Sequence, residues 1–221
     1  MSSSSSSTSV IIAEFARIIA ANQDPAINLL RIPEVVMWLF GDTSFLPAIE
    51  SKNKSTDTPK LKALEDEWGR ATLKTLRPDL RLDKQWTNKF GEHIASEICH
   101  LNGHRGGRKP RNINHFEPDW EVDEFMVEAK AGTFFTEGTA HEKVLGCPFK
   151  YADVPDLYGK PLKIICMGGA EKKCREQYGN LPGTKCTPRK QRYLEFVRES
   201  GIEFVAATDM IRRIIDSHRS K

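Results

Sequence analysis

The chain has 221 residues, 39% of them hydrophobic and 29% charged, with a net charge of +3. That length supports one domain, or one domain with an appended helical part, and the composition reads as soluble and globular. A bulk charge this small does not indicate nucleic acid, so any such signal must be local.

In chain order, residues 1–9, "MSSSSSSTS", form a serine tract that cannot bury apolar surface and is expected to be disordered. A helix is predicted from near Ser9, because Ile11, Phe15, Ile18 and Ile19 recur at helical spacing. This apolar stretch is too short to span a membrane and contains Glu14 and Arg17. With no secretory signal, a cytoplasmic protein is expected. Pro33 suits the first turn of a second helix ending near Gly41. Residues 51–59 read as a polar linker or surface loop, and residues 60–76 as a third helix. Together, residues 10–83 form a helical N-terminal region.

From residue 84 the pattern changes. Residues 85–103 form an amphipathic helix stopped by Gly103. A glycine-rich basic loop, "HRGGRKPRN", follows, then "PDWEVDEFMVEAKAG", then a helix over about 139–146. Thr139 and Glu142 have capping-box spacing there. A strand, "PLKIICMGG", precedes a basic helix from near Glu171, and "IEFVAATDMIRRII" reads as a strand running into a helix. Strands alternating with helices make the class α/β. Five cysteines, none in a C-x-x-C pair, read as free thiols in a reducing compartment, with Cys166 in the core. The six histidines have no convincing metal spacing.

The acid-rich segment carries the chemistry. Alternation on a strand puts Phe125, Val127 and Ala129 on one face, and Met126, Glu128 and Lys130 on the other. A two-residue turn at Asp123 and Glu124 would set Asp119 opposite Glu128, although Asp-Glu is not a favoured turn pair. Two opposed carboxylates suit magnesium, which takes oxygen ligands and keeps several waters. Lys130 would lie beside the attacking water. Asp123 is the alternative to Asp119 as ligand.

Pro118-Asp119 and Glu128-Ala129-Lys130 resemble the PD and (D/E)XK elements of the PD-(D/E)XK nuclease superfamily, which includes most type II restriction endonucleases. The resemblance covers roughly residues 84–208. It implies a restriction-endonuclease-like central mixed sheet flanked by helices, with the helical region N-terminal to it. It also implies a Mg²⁺ site of Asp119 and Glu128 with Lys130 as the third catalytic residue. A glutamate on the preceding helix completes the site in many members. Glu92 and Glu97 are candidates, and Glu97 is preferred because it lies nearer the basic loop. The resemblance further implies that the helix after the hairpin packs beside the site, with Glu142 and Lys143 as candidate polar contributors; Lys143 is expected to touch DNA, and the free N–H groups of this helix could receive a phosphate.

Two basic segments complete the reading. Arg105, Arg108, Lys109 and Arg111 are expected to touch phosphates, because their loop leads straight to Asp119. Lys172, Lys173, Arg175, Lys185, Arg189, Lys190 and Arg192 are expected to include base readers, on a segment that follows a core strand. The expected function is Mg²⁺-dependent, sequence-specific cleavage of double-stranded DNA by a homodimer. A repair or structure-specific nuclease of the same superfamily, or a non-catalytic DNA-binding protein on this fold, are the alternatives.

Overall fold

The computed structural model describes residues 3–50, 53–80 and 86–220. Helix α1 runs Ser3–Ala21, α2 Pro33–Leu39, α3 Lys54–Leu76 and α4 Trp86–Leu101. Strands β1 (Trp120–Glu121) and β2 (Met126–Gly132) form the hairpin. Three short helical pieces follow: a 3₁₀ turn over Ala140–Val144, α5 (Cys147–Lys150) and α6 (Val154–Tyr158). Strand β3 (Leu162–Gly168) leads into α7 (Gly169–Lys173) and a π turn over Cys174–Tyr178. Helix α8 (Pro188–Glu199), β4 (Ile202–Ala206) and α9 (Ala207–Arg219) close the described chain.

The four strands lie in the order β1-β2-β3-β4. The first pair is antiparallel and the next two are parallel. A mixed sheet flanked by helices is therefore the architecture, in line with the α/β expectation. Each parallel pair needs a crossover, and the two crossovers pack on one face of the sheet, with Val144, Cys147, Tyr151, Val154 and Val197 against Met126, Ile164 and Cys166. On the other face, α4 and α9 join α1 and α2 over Phe125, Val127, Ile165, Met167 and Val205. The N-terminal helices thus share one core with the sheet. Helix α4 lies close on β2 because Gly91 has no side chain: a Cβ there would come within 2.8 Å of the Ala131 Cβ.

The serine tract departs from the disordered tail expected over 1–9. Residues 3–9 continue α1 as helix, while residues 1–2 lie outside the described residues. Elongating a formed helix adds one hydrogen bond per residue, and serine costs only about 0.5 kcal/mol against alanine, so a tract attached to an amphipathic helix extends it. Helix α3 begins at Lys54, inside the stretch expected to be a loop over 51–59. Asn53 caps it, its side-chain oxygen accepting from Thr56 N at 3.0 Å. Residues 51–52 and the expected boundary at 83–84 lie outside the described residues. The helix expected over about 139–146 is reduced to the 3₁₀ turn. Thr139 has φ −90° and ψ 9°, so its side chain makes no cap. Strands β3 and β4 and helices α2, α4 and α9 fall where the sequence puts them.

One buried carboxylate ties α3 to the end of β2. Glu65 is fully buried and accepts from Trp38 Nε1 at 2.6 Å and from Phe134 N at 3.0 Å. Burial holds its carboxyl above the ordinary range. Trp38 in turn packs against Trp68, Trp86, Phe90 and Phe134. Glu65→Ala would leave these donors buried without acceptors, and is expected to cost about 2–4 kcal/mol in urea unfolding. A loss below about 1 kcal/mol would show that the carboxylate does not hold the two elements together.

Candidate active site

The hairpin has the register that the alternation of side chains implies. Trp120 pairs with Val127 and Glu121 with Met126, and Val122 N donates to Phe125 O at 3.0 Å. Asp123 and Glu124 are the two turn residues. One step further along the same register, Asp119 stands across from Glu128, and its Oδ2 accepts from Ala129 N at 2.8 Å. Asp123 is exposed at the turn, and its N–H donates to Arg105 O at 2.9 Å. The structure therefore brings Asp119, and not Asp123, to Glu128.

Glu128 is 3% exposed, a charge placed almost out of water. Its Oε1 accepts from Lys130 Nζ and from the Tyr151 hydroxyl, the latter at 3.1 Å. Its Oε2 is buried and has no hydrogen-bond partner. Lys150 Nζ donates to the Tyr151 hydroxyl at 2.8 Å, so a chain of polar contacts runs from α5 to β2.

The electrostatics follow from burial and crowding. Asp119 is pushed up to about 7, first by burial and then by the Glu128 charge. Burial works against the Lys130 ammonium, but the charges of Glu128 and Asp119 outweigh it and its pKa is raised. Burial and the Glu128 charge push the Tyr151 phenol up as well, so it stays a donor.

Each facing carboxylate thus has one oxygen bound to protein and one left over. Among the described residues no group of three or more His, Cys, Asp or Glu side chains forms a ready-made metal cage. Magnesium asks for less: one or two carboxylates, with waters and substrate phosphate filling the other positions. Asp119 and Glu128, the latter with Oε2 unpartnered, are the residues that could hold the ion.

Glu97 needs correcting. It is 2% exposed, and its carboxylate accepts from the backbone N–H groups of Asn28, Leu29 and Leu30 at 2.9, 2.8 and 2.9 Å. It caps the 3₁₀ turn Leu29–Arg31. Both oxygens are occupied, so Glu97 is a structural residue. Glu92 is the carboxylate of α4 that acts on Asp119, raising its pKa by charge, and it is paired with Lys89 at 2.6 Å. Asp119, Glu92, Lys89 and Lys109 border one cleft of about 540 Å³.

Lys130 opens into a second cleft, of about 600 Å³, with His141, Lys143 and Lys150. Lys143 is exposed. Tyr151, Lys150 and His141 were not singled out from the sequence. They reach the site through the crossover between β2 and β3, and no local pattern marks that approach.

The basic loop divides. Arg108 forms a two-pronged pair with Glu121 at 3.0 and 3.1 Å, and Lys109 pairs with Glu117 at 2.6 Å. Arg105 and Arg111 are exposed. The later segment divides too. Arg175, expected among the base readers, is bound to Glu171 at 3.0 Å, Asp209 at 2.8 Å and the Pro182 carbonyl at 2.9 Å. It braces α7 against α9, because buried Glu171 needs a cation and also accepts from Thr208 N. Lys190 is bound to the Tyr178 carbonyl. Lys172, Lys185, Arg189 and Arg192 are exposed, and Lys173 is half-buried near His141.

All five cysteines are free thiols, and Cys166 is fully buried. Among the described residues no helix is long and apolar enough to cross a membrane. No protein-family model, curated protein or solved structure matches the chain.

The raised Asp119 pKa fixes a sign. The unfolded chain loses this proton near 3.8 and the folded chain near 7, so between those values the folded state binds more protons and stability falls as pH rises. Asp119→Asn keeps an oxygen for Ala129 N but cannot ionise. In metal-free solution the variant is expected to gain about 1–3 kcal/mol on the wild type at about pH 8 and little at about pH 4. Equal differences in urea midpoint at both values would refute the buried, crowded carboxylate.

Proposed function

We propose that this chain is a magnesium-dependent endonuclease of double-stranded DNA, of the PD-(D/E)XK type and sequence-specific. The observation that carries the reading is the pair of opposed carboxylates, each with a free oxygen, beside Lys130. Asp119 keeps Oδ1 and Glu128 keeps Oε2, while the other oxygens are held by Ala129 N, Lys130 and Tyr151. The order of elements supports it: α4, the β1–β2 hairpin, a crossover and the parallel β3.

Asp119 and Glu128 would hold the cation, with Glu92 close enough to add its charge. Magnesium would activate water at neutral pH and neutralise charge building on the phosphate. Tyr151 and Lys130 hold Glu128 in one orientation. The Lys130 ammonium would orient the attacking water and stabilise the negative charge that develops as the P–O bond breaks. Binding of the cation would draw the proton off Asp119, so occupancy should release protons near neutral pH.

Arg105 and Arg111 are the phosphate contacts this reading favours in the first basic loop. Lys172, Lys185, Arg189 and Arg192 are the exposed side chains available for base edges. A homodimer would put one site on each strand of a palindrome.

Plasmid DNA with magnesium is expected to give discrete fragments. Glu128→Ala and Lys130→Ala should each lower cleavage by at least about 100-fold, while duplex binding in calcium persists. Cutting only at flaps or junctions would replace sequence specificity by structure specificity. Wild-type turnover by Glu128→Ala would end the assignment of the site.

In binding competition, Arg189→Ala or Arg192→Ala should lose roughly 1–3 kcal/mol on the cognate sequence alone. Arg105→Ala should weaken all sequences about equally and lower the salt slope by about one. A uniform loss for both classes would remove the later segment as the reader.

A further inference from the structure

We infer that the cleft bordered by His141, Lys130, Lys143 and Lys150 is a phosphate subsite, taking a backbone phosphate next to the one that is cut. Its chemistry is read from the cleft itself. The identity of its ligand as DNA backbone rests on the nuclease reading.

The cleft has a volume of about 600 Å³, which is room for a nucleotide unit and not merely an ion. Four lysines line it, Lys62, Lys130, Lys143 and Lys150, against one acid, Asp66. Asp66 is already paired with Lys62, at 2.5 Å. Lys130 answers Glu128. Two of the four lysines are thus answered by acids, and the lining is left with an excess of positive charge.

His141 is the second, independent observation. It is 6% exposed, lines the cleft, and its Nε2 is buried without a hydrogen-bond partner. The ring lies close against the end of β2: a Cβ on Gly132 would meet the ring Cε1 at 2.6 Å. It is thus packed against the strand end, with Nε2 left over. A buried polar atom without a partner costs free energy, and a ligand atom would repay it.

The charged groups around the ring decide what that ligand is. Lys130 on β2, Lys150 on α5, Lys173 on α7 and the Lys62–Asp66 pair on α3 join Lys143 on its own turn. Burial and then the Lys173 charge hold the imidazole pKa below its ordinary value. An anion in the cleft reverses the balance. The Nε2 lone pair takes a proton from solvent, forming one N–H bond that donates to a phosphate oxygen, while the lysines answer the remaining charge.

Dimethyl phosphate is the probe, because it keeps the single charge of a DNA backbone phosphate across the pH range used. It is titrated into the metal-free full chain, and histidine ring signals are followed by NMR, with His141 assigned by its loss in His141→Gln. A saturable shift of the His141 signal is expected, with its protonation midpoint rising by about one pH unit or more. Lys143→Ala, an exposed residue whose loss should not disturb folding, is expected to weaken binding about fivefold.

No saturable shift beyond that given by equal sodium chloride would overturn the subsite, and so would a shift indifferent to Lys143→Ala. A short duplex should move the same signal. Movement with a mononucleotide but not with duplex would overturn the assignment to backbone. Duplex and dimethyl phosphate binding without plasmid cleavage would fell the nuclease reading and leave the subsite. Cleavage with a silent His141 would do the reverse.

Discussion

The two-residue turn at Asp123 and Glu124 is the constraint on which the rest of this molecule depends. Side chains on a strand alternate, so a slip of one residue would exchange the faces of β2. Glu128 and Lys130 would then enter the core that holds Val127 and Phe125, and the site would vanish. The register is held from several sides. Phe125 is buried, Val122 and Phe125 are bonded across the turn, the Arg105 carbonyl fastens Asp123, and Asp119 reaches over to Ala129. On the far side, β2 is locked in parallel register with β3, Glu128 beside Ile164 and Lys130 beside Cys166.

That register places charge where water is scarce. A buried ion pair is a weak source of stability, because desolvation offsets the attraction. The arrangement around Glu128 supplies two donors to one oxygen and none to the other, and Asp119 answers by holding its proton to about 7. A protein optimised for stability would fill this space with apolar side chains. Keeping it polar and half-satisfied is the kind of local cost found where chemistry is done.

Much of the frame was legible because it rests on local pattern. Alternation in "FMVEAK" gave the faces of β2, and the Asp119–Glu128 opposition followed from it even though Asp-Glu is an unusual turn. Gly103, with φ +84°, ends α4 as glycine does. What the sequence withheld is tertiary. Glu97 and Glu92 are both acids on one helix, and only the arrival of residues 28–30 from far along the chain commits the first to capping. Arg175 sits in a basic run, yet buried Glu171 claims it, and nothing near Arg175 in sequence announces that Glu171 is buried. The short pieces between β2 and β3 escaped because their positions answer to Tyr151 and His141 reaching the site.

The meeting of α1 and α9 has a consequence for how the protein is made. Glu14 and Arg219 are bonded across 205 positions of sequence, and Phe15, Ile18 and Ile19 share a core with Met210, Ile211 and Ile214. Helix α1 is therefore synthesised long before the surface that covers it. Until α9 emerges, its apolar stripe has only the neighbouring N-terminal helices for shelter. The sheet is in the same position, since β4 and α9 complete its last edge and one of its faces. A ribosome translating this chain carries an incomplete core until α9 has emerged, and the sheet with its Asp119–Glu128 hairpin gains its full cover only then.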